Sequence, residues 1–271
     1  MPRMPKLEFQ NVSLVYEDMR RSKASLHALD NLSLSVNAGE SIAIIGPSGC
    51  GKSSTLQMAA GLLAPTQGRV LIDGAPVTKP RHQTALILQD FGLLPWKTVI
   101  DNATLGLKVR GMDREARNAK AREALALVGL EGFERAYPGE LSGGMQQRLA
   151  LARSIALDVD LLLMDEPLSA LDALLREQLQ DTLLELWRKE SYAQVLVTHS
   201  IDEAVYLGQR IVVMSQRPGH VMSVKDNPGM GDKDYRGSLA YYELINEIRD
   251  LLRADAKGSS PSPDQQEAVH A

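Results

Sequence analysis

Cysteine is nearly absent from this sequence, since Cys50 is the only one among 271 residues. A single thiol cannot form an internal disulfide, which excludes a disulfide-stabilised scaffold and favours a reducing compartment. Long apolar runs are also missing, because no stretch approaches the roughly 20 apolar residues that cross a bilayer. The opening residues, MPRMPK, are followed by no apolar signal core. We therefore expect a soluble, cytoplasmic chain that reaches a membrane only through a partner.

An excess of basic residues is missing too. Lys and Arg total 30 against 34 Asp and Glu, for a net charge of -4, and no basic block stands out. This balance argues against nucleic acid as a partner. The chain is 44% hydrophobic, which is enough for a sizeable core in one or two domains.

The apolar residues predict an α/β core. Short and nearly continuous apolar runs are typical of buried parallel strands, and they occur at Ile42–Ile45, Ala85–Leu88, Leu161–Met164, Val195–Thr198 and Ile211–Met214. Alternating residues in 7–14 and 26–36 predict antiparallel strands joined by a polar loop at 20–25. Helical patterns lie between several of the apolar runs, as in α/β folds.

The predicted domain organisation follows from these patterns. Residues 5–90 and 158–215 form the core, and the mostly helical stretch 91–157 is inserted as a subdomain. Residues 216–253 form a C-terminal extension, in which apolar residues at helical spacing from Leu239 to Leu252 predict an amphipathic helix. The polar tail 254–271 is expected to be disordered.

The most informative motif is GPSGCGKS at positions 46–53, between an apolar strand and a helix that starts near Lys52. Glycines let the backbone turn its N–H groups toward a phosphate, and the helix start adds its positive dipole end. Lys52 is then placed to reach the β- and γ-phosphates, and Ser53 to ligate Mg²⁺. The alternative is a glycine-rich turn that binds nothing. The flanking strand and helix favour a nucleoside triphosphate.

A second motif is LLLMDEP at positions 161–167. It places Asp165 and Glu166 at the carboxyl edge of the parallel sheet, where ligands bind in such folds. Asp165 is suited to hold Mg²⁺, and Glu166 to polarise the water that attacks the γ-phosphorus. Two solvated acids at a strand end are the alternative, which the phosphate loop disfavours.

A third motif is LSGGMQQR at positions 141–148, followed by a helix-forming run. Ser142 is a natural N-cap, and Gly143 and Gly144 permit close backbone approach. The motif is thus either a second phosphate-binding helix start or an ordinary capped helix.

In this order and spacing, the motifs resemble the nucleotide-binding subunit of ATP-binding cassette (ABC) transporters, over roughly residues 5 to 215. The resemblance implies an α/β P-loop NTPase core with a mixed, mostly parallel sheet, an antiparallel β subdomain and an inserted α-helical subdomain. It implies Mg²⁺-dependent ATP hydrolysis, with ATP and Mg²⁺ as cofactors.

The resemblance also implies roles for single residues. Tyr16 would stack on adenine, Gln89 would link Mg²⁺ and the attacking water to the helical subdomain, and His199 would contact the γ-phosphate. Asp172, in the sequence SALD, would cross a dimer interface. By themselves, Gln89, Asp172 and His199 could equally be a strand-end polar residue, a helix cap and a core histidine. One departure is Ser200, which follows His199 where the family often has Asp.

Four sets of residues summarise the predicted site. The catalytic set is Glu166, His199, Gln89 and Lys52, and the metal set is Ser53, Gln89 and Asp165. The ATP-binding set of one copy is Tyr16, Gly46, Pro47, Ser48, Gly49, Cys50, Gly51, Lys52, Ser53 and Ser54. The set contributed by a second copy, in an ATP-sandwich dimer, is Leu141, Ser142, Gly143, Gly144, Gln146 and Asp172. Cys50 is interpreted either as a reactive thiol that ATP protects or as an inert turn residue.

The resemblance narrows to the nitrate/sulfonate/taurine importer group. The loop QDFGLLPW at 89–96, the sequence THSIDEAVY at 198–206 and the sequence IVVMSQRPG at 211–219 look like that group. The chain would then be a peripheral subunit on the cytoplasmic face of the inner membrane, serving a separate permease and, indirectly, a solute-binding protein. Leu93–Trp96 would either contact the permease or pack beneath the helical subdomain. The alternatives are a non-transport clamp ATPase, a degenerate binding module or an importer of another small solute.

Overall fold

The computed structural model describes residues 4–17, 25–232 and 234–258. Its strands are β1 (Leu7–Glu17), β2 (Ser25–Val36), β3 (Ser41–Ile45), β4 (Gln67–Ile72), β5 (Ala75–Pro76), β6 (Thr84–Ile87), β7 (Leu161–Asp165), β8 (Ala193–Thr198), β9 (Arg210–Met214) and β10 (Val221–Asp226). Its α-helices are α1 (Lys52–Ala59), α2 (Val99–Ala103), α3 (Leu105–Val109), α4 (Arg114–Leu127), α5 (Gly143–Ile155), α6 (Ala173–Glu190), α7 (Ile201–Leu207) and α8 (Leu239–Gly258).

The strands form two sheets. The smaller sheet has the order β2-β1-β4-β5, with antiparallel pairing throughout. The larger has the order β10-β9-β3-β8-β7-β6. All its pairs are parallel except that of β9 with β10, so the predicted mixed, mostly parallel sheet is confirmed. Most of the loop predicted at 20–25 lies outside the described residues.

Both faces of the larger sheet are buried, which explains why its strands are continuously apolar. In β3, Ile42 and Ile44 pack in one cluster with residues of the smaller sheet and α1. The alternate residues Ala43 and Ile45 pack in a second cluster with residues of α2 to α8. The sheet is therefore the middle layer between an antiparallel sheet and a set of helices.

The helices α2 to α5 lie between β6 and β7, in the stretch that the sequence predicts to be helical. Their apolar residues join the second cluster through α4, where Ala121, Ala124 and Leu125 are buried. Because β6 and β7 are parallel neighbours, this stretch leaves the sheet at the carboxyl end of β6 and returns to the amino end of β7.

The predicted C-terminal helix is present, but it is longer than expected. Helix α8 continues to Gly258, so residues 254–258 are helical and the expectation that disorder starts at 254 is wrong there. Asp255 explains the extension in part, because its carboxylate accepts a hydrogen bond of 2.8 Å from the Gln216 backbone N–H. Residues 259–271 lie outside the described residues.

Candidate nucleotide site

The phosphate-binding loop lies between β3 and α1, as the sequence predicts. Lys52 is the first residue of α1 and is buried. Its ammonium donates hydrogen bonds of 2.8 Å to the Gly46 carbonyl and 2.8 Å to the Pro47 carbonyl. The lysine is therefore folded against the loop that a phosphate would fill, and its present partners are neutral carbonyls that an anion would outcompete.

Glycine is required at two positions of this loop. Gly51 has φ of 96°, in the left-handed region, and a Cβ there would collide with the Leu29 side chain. A Cβ on Gly46 would press on the carbonyl oxygen of Met214 and on the sulfur of Cys50.

Cys50 is buried, and burial raises the pKa of its thiol against the opposing effect of Lys52. A buried thiol with a raised pKa favours the inert interpretation of this residue.

A carboxylate at the end of β7 faces the loop. Asp165 is buried, and the Ser53 hydroxyl is hydrogen-bonded to it. Burial raises the pKa of Asp165, the bond to Ser53 lowers it, and the charge of Glu166 raises it further. Its Oδ1 atom has no hydrogen-bond partner among the described residues.

This arrangement fits Mg²⁺. The cation usually binds proteins through one or two carboxylates and takes its other ligands from phosphates and water. An orphaned, desolvated oxygen beside a serine hydroxyl meets that requirement. Among the described residues, no group of three or more His, Cys, Asp or Glu side chains forms an all-protein metal site.

Glu166 and His199 are brought together by adjacent parallel strands, β7 and β8. The imidazole Nδ1 lies 3.2 Å from Oε2 of Glu166. Glu166 has φ of 49°, unusual for a residue other than glycine, and its N–H donates to the Val197 carbonyl at 2.9 Å. A strained backbone of this kind is typical of functional sites, where it aims a side chain that regular strand geometry would not.

The chain behind His199 is fixed by a buried acid. The Thr198 hydroxyl is hydrogen-bonded to the carboxyl of Glu203, which is 4% exposed. Burial, opposed by that hydrogen bond and by the charge of Arg176, raises the pKa of Glu203 to about 7. Ser200 caps α7 by accepting from the Glu203 N–H at 3.3 Å, so it performs the capping that the more common Asp would also perform.

Gln147 is a residue that the sequence reasoning missed. It is buried on α5, and its amide nitrogen donates to the Glu166 carbonyl at 3.1 Å. Its amide oxygen accepts from the Ala170 N–H at 2.9 Å. It therefore joins α5 to the segment that runs from Glu166 toward Asp172. The sequence signal for this residue is a polar side chain at one of the otherwise apolar positions of α5.

The remaining predicted residues of the same copy lie around the loop. Tyr16, at the end of β1, is 39% exposed and its hydroxyl lies 2.9 Å from the Ser54 hydroxyl. Gln89 is exposed just beyond β6, at the carboxyl edge that also carries Asp165. The structure thus places Tyr16 beside the phosphate loop, and Gln89 just past the end of β6, the strand adjacent to β7.

Within the LSGG sequence, Ser142 and Gly143 form the exposed N-terminus of α5, whereas Leu141 is buried and Gly144 is half-buried against Leu171. Ser142 caps this helix by accepting from the Met145 N–H at 3.3 Å. Ser142 and Gly143 are exposed, and a Cβ on Gly143 would meet nothing within 4 Å. Gln146 instead turns back, donating to the carbonyls of Pro138 and Leu141. The serine and first glycine therefore present an open helix start.

Asp172 is the N-cap of α6, since its carboxylate accepts from the Leu175 N–H at 3.0 Å. The capping interpretation of Asp172 is confirmed, and capping leaves its second carboxylate oxygen available for another contact.

The loop 93–96 is held by Asn102, which is fully buried. Its side chain accepts from the Leu94 N–H at 2.8 Å and donates to the carbonyls of Leu94, Lys97 and Thr98. Leu93 packs on the second apolar cluster, whereas Trp96 is 69% exposed. The packing interpretation therefore holds for Leu93, and the permease contact stays a prediction for the exposed Trp96.

Comparisons with known proteins identify the class. A family profile described as ABC transporter matches residues 29–169. The chain superimposes with a TM-score of 0.76 and 32% identity on a solved dimeric bacterial ABC transporter cassette, covering 83% of this chain and 100% of that one. A second solved structure of equal similarity is the post-hydrolysis state of an ATP-binding cassette with ADP and phosphate. The chain belongs to the ABC transporter family, as an ATP-binding subunit with ATPase activity.

Individual relatives are more similar still. A taurine import ATP-binding protein of Burkholderia thailandensis is 49% identical over 220 residues, or 81% of this chain and 84% of that protein. An ABC transporter ATP-binding protein of Methanocaldococcus jannaschii is 43% identical over 249 residues, or 92% of this chain and 91% of that protein. The predicted family resemblance and ATPase class are confirmed. Among the described residues, none of the helices is long and apolar enough to cross a membrane.

Proposed function

We propose that this chain is the ATP-hydrolysing subunit of an importer that takes up a small anionic solute of the nitrate/sulfonate/taurine type through a separate permease. The observation that carries the proposal is the 49% identity to a taurine import ATP-binding protein across most of both chains. A sulfonate is the first solute to test. The subunit works at the cytoplasmic face of the inner membrane and meets a solute-binding protein only through the permease.

Two copies close on two ATP molecules. Each nucleotide lies on Lys52 of one copy and faces Ser142, Gly143 and Gly144 of the other. The open N-terminus of α5 supports this arrangement, because its N–H groups and dipole favour an anion and its exposed tip leaves room for one. A solved relative of the cassette is itself a dimer.

Within one site, the residues divide the work. Lys52 and the loop N–H groups bind the phosphates, and Tyr16 stacks on the base. Ser53, Asp165 and Gln89 hold Mg²⁺, which supplies charge neutralisation to the γ-phosphate. Glu166 orients and polarises the attacking water, and His199, in contact with Glu166, meets the γ-phosphate. The chemistry is positioning and electrostatic stabilisation, with no covalent intermediate.

The permease contact is assigned to Leu93–Trp96. Asn102 fixes the backbone of this loop while Trp96 remains largely exposed, an arrangement suited to a partner surface. Asp172 completes the interface between copies, and Leu141, which is buried within its own copy, adjoins that interface through its neighbour Ser142.

A pair of variants at Ser142 tests the contribution in trans. Asp and Asn cap a helix about as well as Ser, so both Ser142→Asp and Ser142→Asn preserve α5. Only Asp adds a negative charge facing the neighbour's γ-phosphate. In a Glu166→Gln background that accumulates ATP-bound dimer, we expect Ser142→Asp to abolish dimerisation and Ser142→Asn to retain it.

ATP affinity of the monomer, measured with a fluorescent analogue, is expected to be equal in both variants, because the primary phosphate contacts belong to Lys52. Equal dimerisation of the two variants by light scattering would contradict the proposed ATP-sandwich dimer.

Solute identity is tested by uptake into vesicles that contain the permease and binding protein, with taurine, an alkanesulfonate and nitrate compared at equal concentration.

A further inference from the structure

The turn Ser215–His220 after β9 contains the sequence SQRPG at positions 215–219, and none of the roles assigned above uses it. Its Arg217 side chain is exposed, and the guanidinium Nε donates a hydrogen bond of 3.1 Å to the Gly49 carbonyl in the phosphate loop. Gly49 has φ of +77°, and a Cβ there would collide with the same guanidinium. The arginine therefore lies directly on the loop backbone.

The backbone of the turn also contacts the loop. The Gly219 N–H donates to the Ala28 carbonyl at 2.9 Å, and the Asp30 N–H donates to the Gly219 carbonyl at 3.0 Å. A Cβ on Gly219 would overlap the carbonyl oxygen of Cys50. The turn thus fills the space between β2 and the phosphate loop without a gap for one methyl group.

The turn is fixed at both ends. The Ser215 hydroxyl is buried, lies 2.8 Å from Nδ1 of His220 and accepts from the His220 N–H at 3.0 Å. The Ser215 N–H in turn donates to the His220 carbonyl at 3.0 Å. The Gln216 N–H donates to Asp255 on α8 at 2.8 Å. A chain of contacts therefore runs from the end of α8 through the turn to the phosphate loop.

We propose that the Ser215–His220 turn positions the phosphate-binding loop for ATP, with Arg217 as the positioning residue and Asp255 on α8 as its support. The inference rests on the proposed binding of ATP at Lys52. A loop that contains Gly46, Gly49 and Gly51 has large backbone freedom when unrestrained. Holding the Gly49 carbonyl outward keeps the loop N–H groups oriented toward the phosphates, so less entropy is lost when ATP binds.

Steady-state ATPase kinetics of the whole chain test Arg217. Removing one charge-assisted hydrogen bond at an exposed site is expected to raise the KM for ATP about threefold to tenfold in Arg217→Ala. The value of kcat should stay near that of the parent, since Arg217 contacts no reacting group. Arg217→Lys, which retains a cationic donor, should recover most of the affinity. Arg253→Ala, which removes an exposed arginine from α8, is the matched control and should leave KM unchanged.

Substitution of Asp255 tests whether its hydrogen bond to Gln216 supports the Ser215–His220 turn. We expect Asp255→Ala to raise KM about twofold to fivefold, because Gln216 loses its acceptor. Asp250→Ala, at an exposed position of the same helix, is its control. Combined with Arg217→Ala, the Asp255 change should add little, because both act on the same contact chain.

The outcomes separate this inference from the proposed function. A parent protein without ATPase activity would overturn the proposed function itself. An active parent with unchanged KM in Arg217→Ala, or with kcat reduced at constant KM, would overturn the positioning role alone. Circular dichroism and thermal unfolding of each variant identify any that fails to fold, and Arg217→Lys then provides the deciding comparison.

Discussion

His199 and Glu166 face each other at 3.2 Å, although they follow different strands of the sheet. The side chain of Glu166 is 19% exposed, and that of His199 is 63% exposed. The acid is thus held inside, while the imidazole is exposed to solvent. The pair forms because β7 and β8 are parallel neighbours, so that residues just past their carboxyl ends meet.

Glu166→Gln should abolish the general-base contribution, lowering kcat about 100- to 10,000-fold while leaving ATP binding intact. Glutamine has the same shape, so the backbone at φ of 49° and the approach to His199 are retained. Phosphate release gives the rate, and the ATP-dependent dimer is expected to accumulate. Glu190→Gln, on the exposed end of α6, serves as the control. Turnover at the parent rate in Glu166→Gln would assign the base to another group.

Glu203 predicts a pH dependence of stability. Its pKa is raised from 4.5 to about 7, chiefly by burial, so the folded state binds the proton more tightly than the unfolded chain. Its contribution is therefore full below about pH 4.5 and is lost as the pH rises through about 7, by an amount on the order of 3 kcal/mol. Glu203→Gln should remove most of this decrease in the free energy of unfolding, while its amide still offers Thr198 a hydrogen-bond partner. Urea unfolding at pH 5, 6, 7 and 8 measures the free energy of unfolding of parent and variant. Parallel curves for parent and variant would disprove the assignment.

Gly219→Ala should weaken nucleotide binding. The added methyl group overlaps the Cys50 carbonyl, so the turn and the phosphate loop cannot keep their present separation. Overpacking of this kind destabilises by about 1–3 kcal/mol. Gly237→Ala is the matched control, because a Cβ there meets nothing within 4 Å. Thermal unfolding and ATP titration should distinguish the two variants. Identical behaviour would show that the turn can move to accept the methyl group without changing stability or ATP binding.

Trp96→Ala should reduce recovery of the permease complex when the subunit is purified from membranes. The indole is 69% exposed, so its removal should change the free energy of unfolding by less than about 0.5 kcal/mol. An aromatic side chain at an interface is commonly a dominant contact. Leu62→Ala, another exposed apolar residue at 59%, controls for loss of apolar surface alone. Undiminished recovery of the complex would show that the permease contact lies elsewhere on the subunit.

Local pattern determined which parts of the fold were predictable. The five apolar runs became β3 and β6 to β9 because strands buried on both faces need apolar residues at every position. The phosphate loop, Asp165 and Glu166 were found because their spacing is set by one strand end and one helix start. These features need no knowledge of distant contacts.

Other features depended on contacts between distant segments. Gln147 meets the Glu166 carbonyl across 19 positions, and Arg217 meets Gly49 across 168. No periodicity reports such pairs. The end of α8 was misplaced for the same reason, since Asp255 and its neighbours look too polar to pack until the Gln216 N–H is seen beside them.

The double attachment of α5 has a consequence for how two nucleotides are used. In the proposed dimer the first residues of α5 would touch the ATP on the opposite copy, and Gln147, near the start of the same helix, donates to the Glu166 carbonyl of its own copy. ATP binding at one site should therefore shift α5 slightly and change the position of Glu166 in the other site. Turnover should rise more steeply than linearly with ATP concentration, with a Hill coefficient above one, and Gln147→Leu should return the curve to a simple hyperbola.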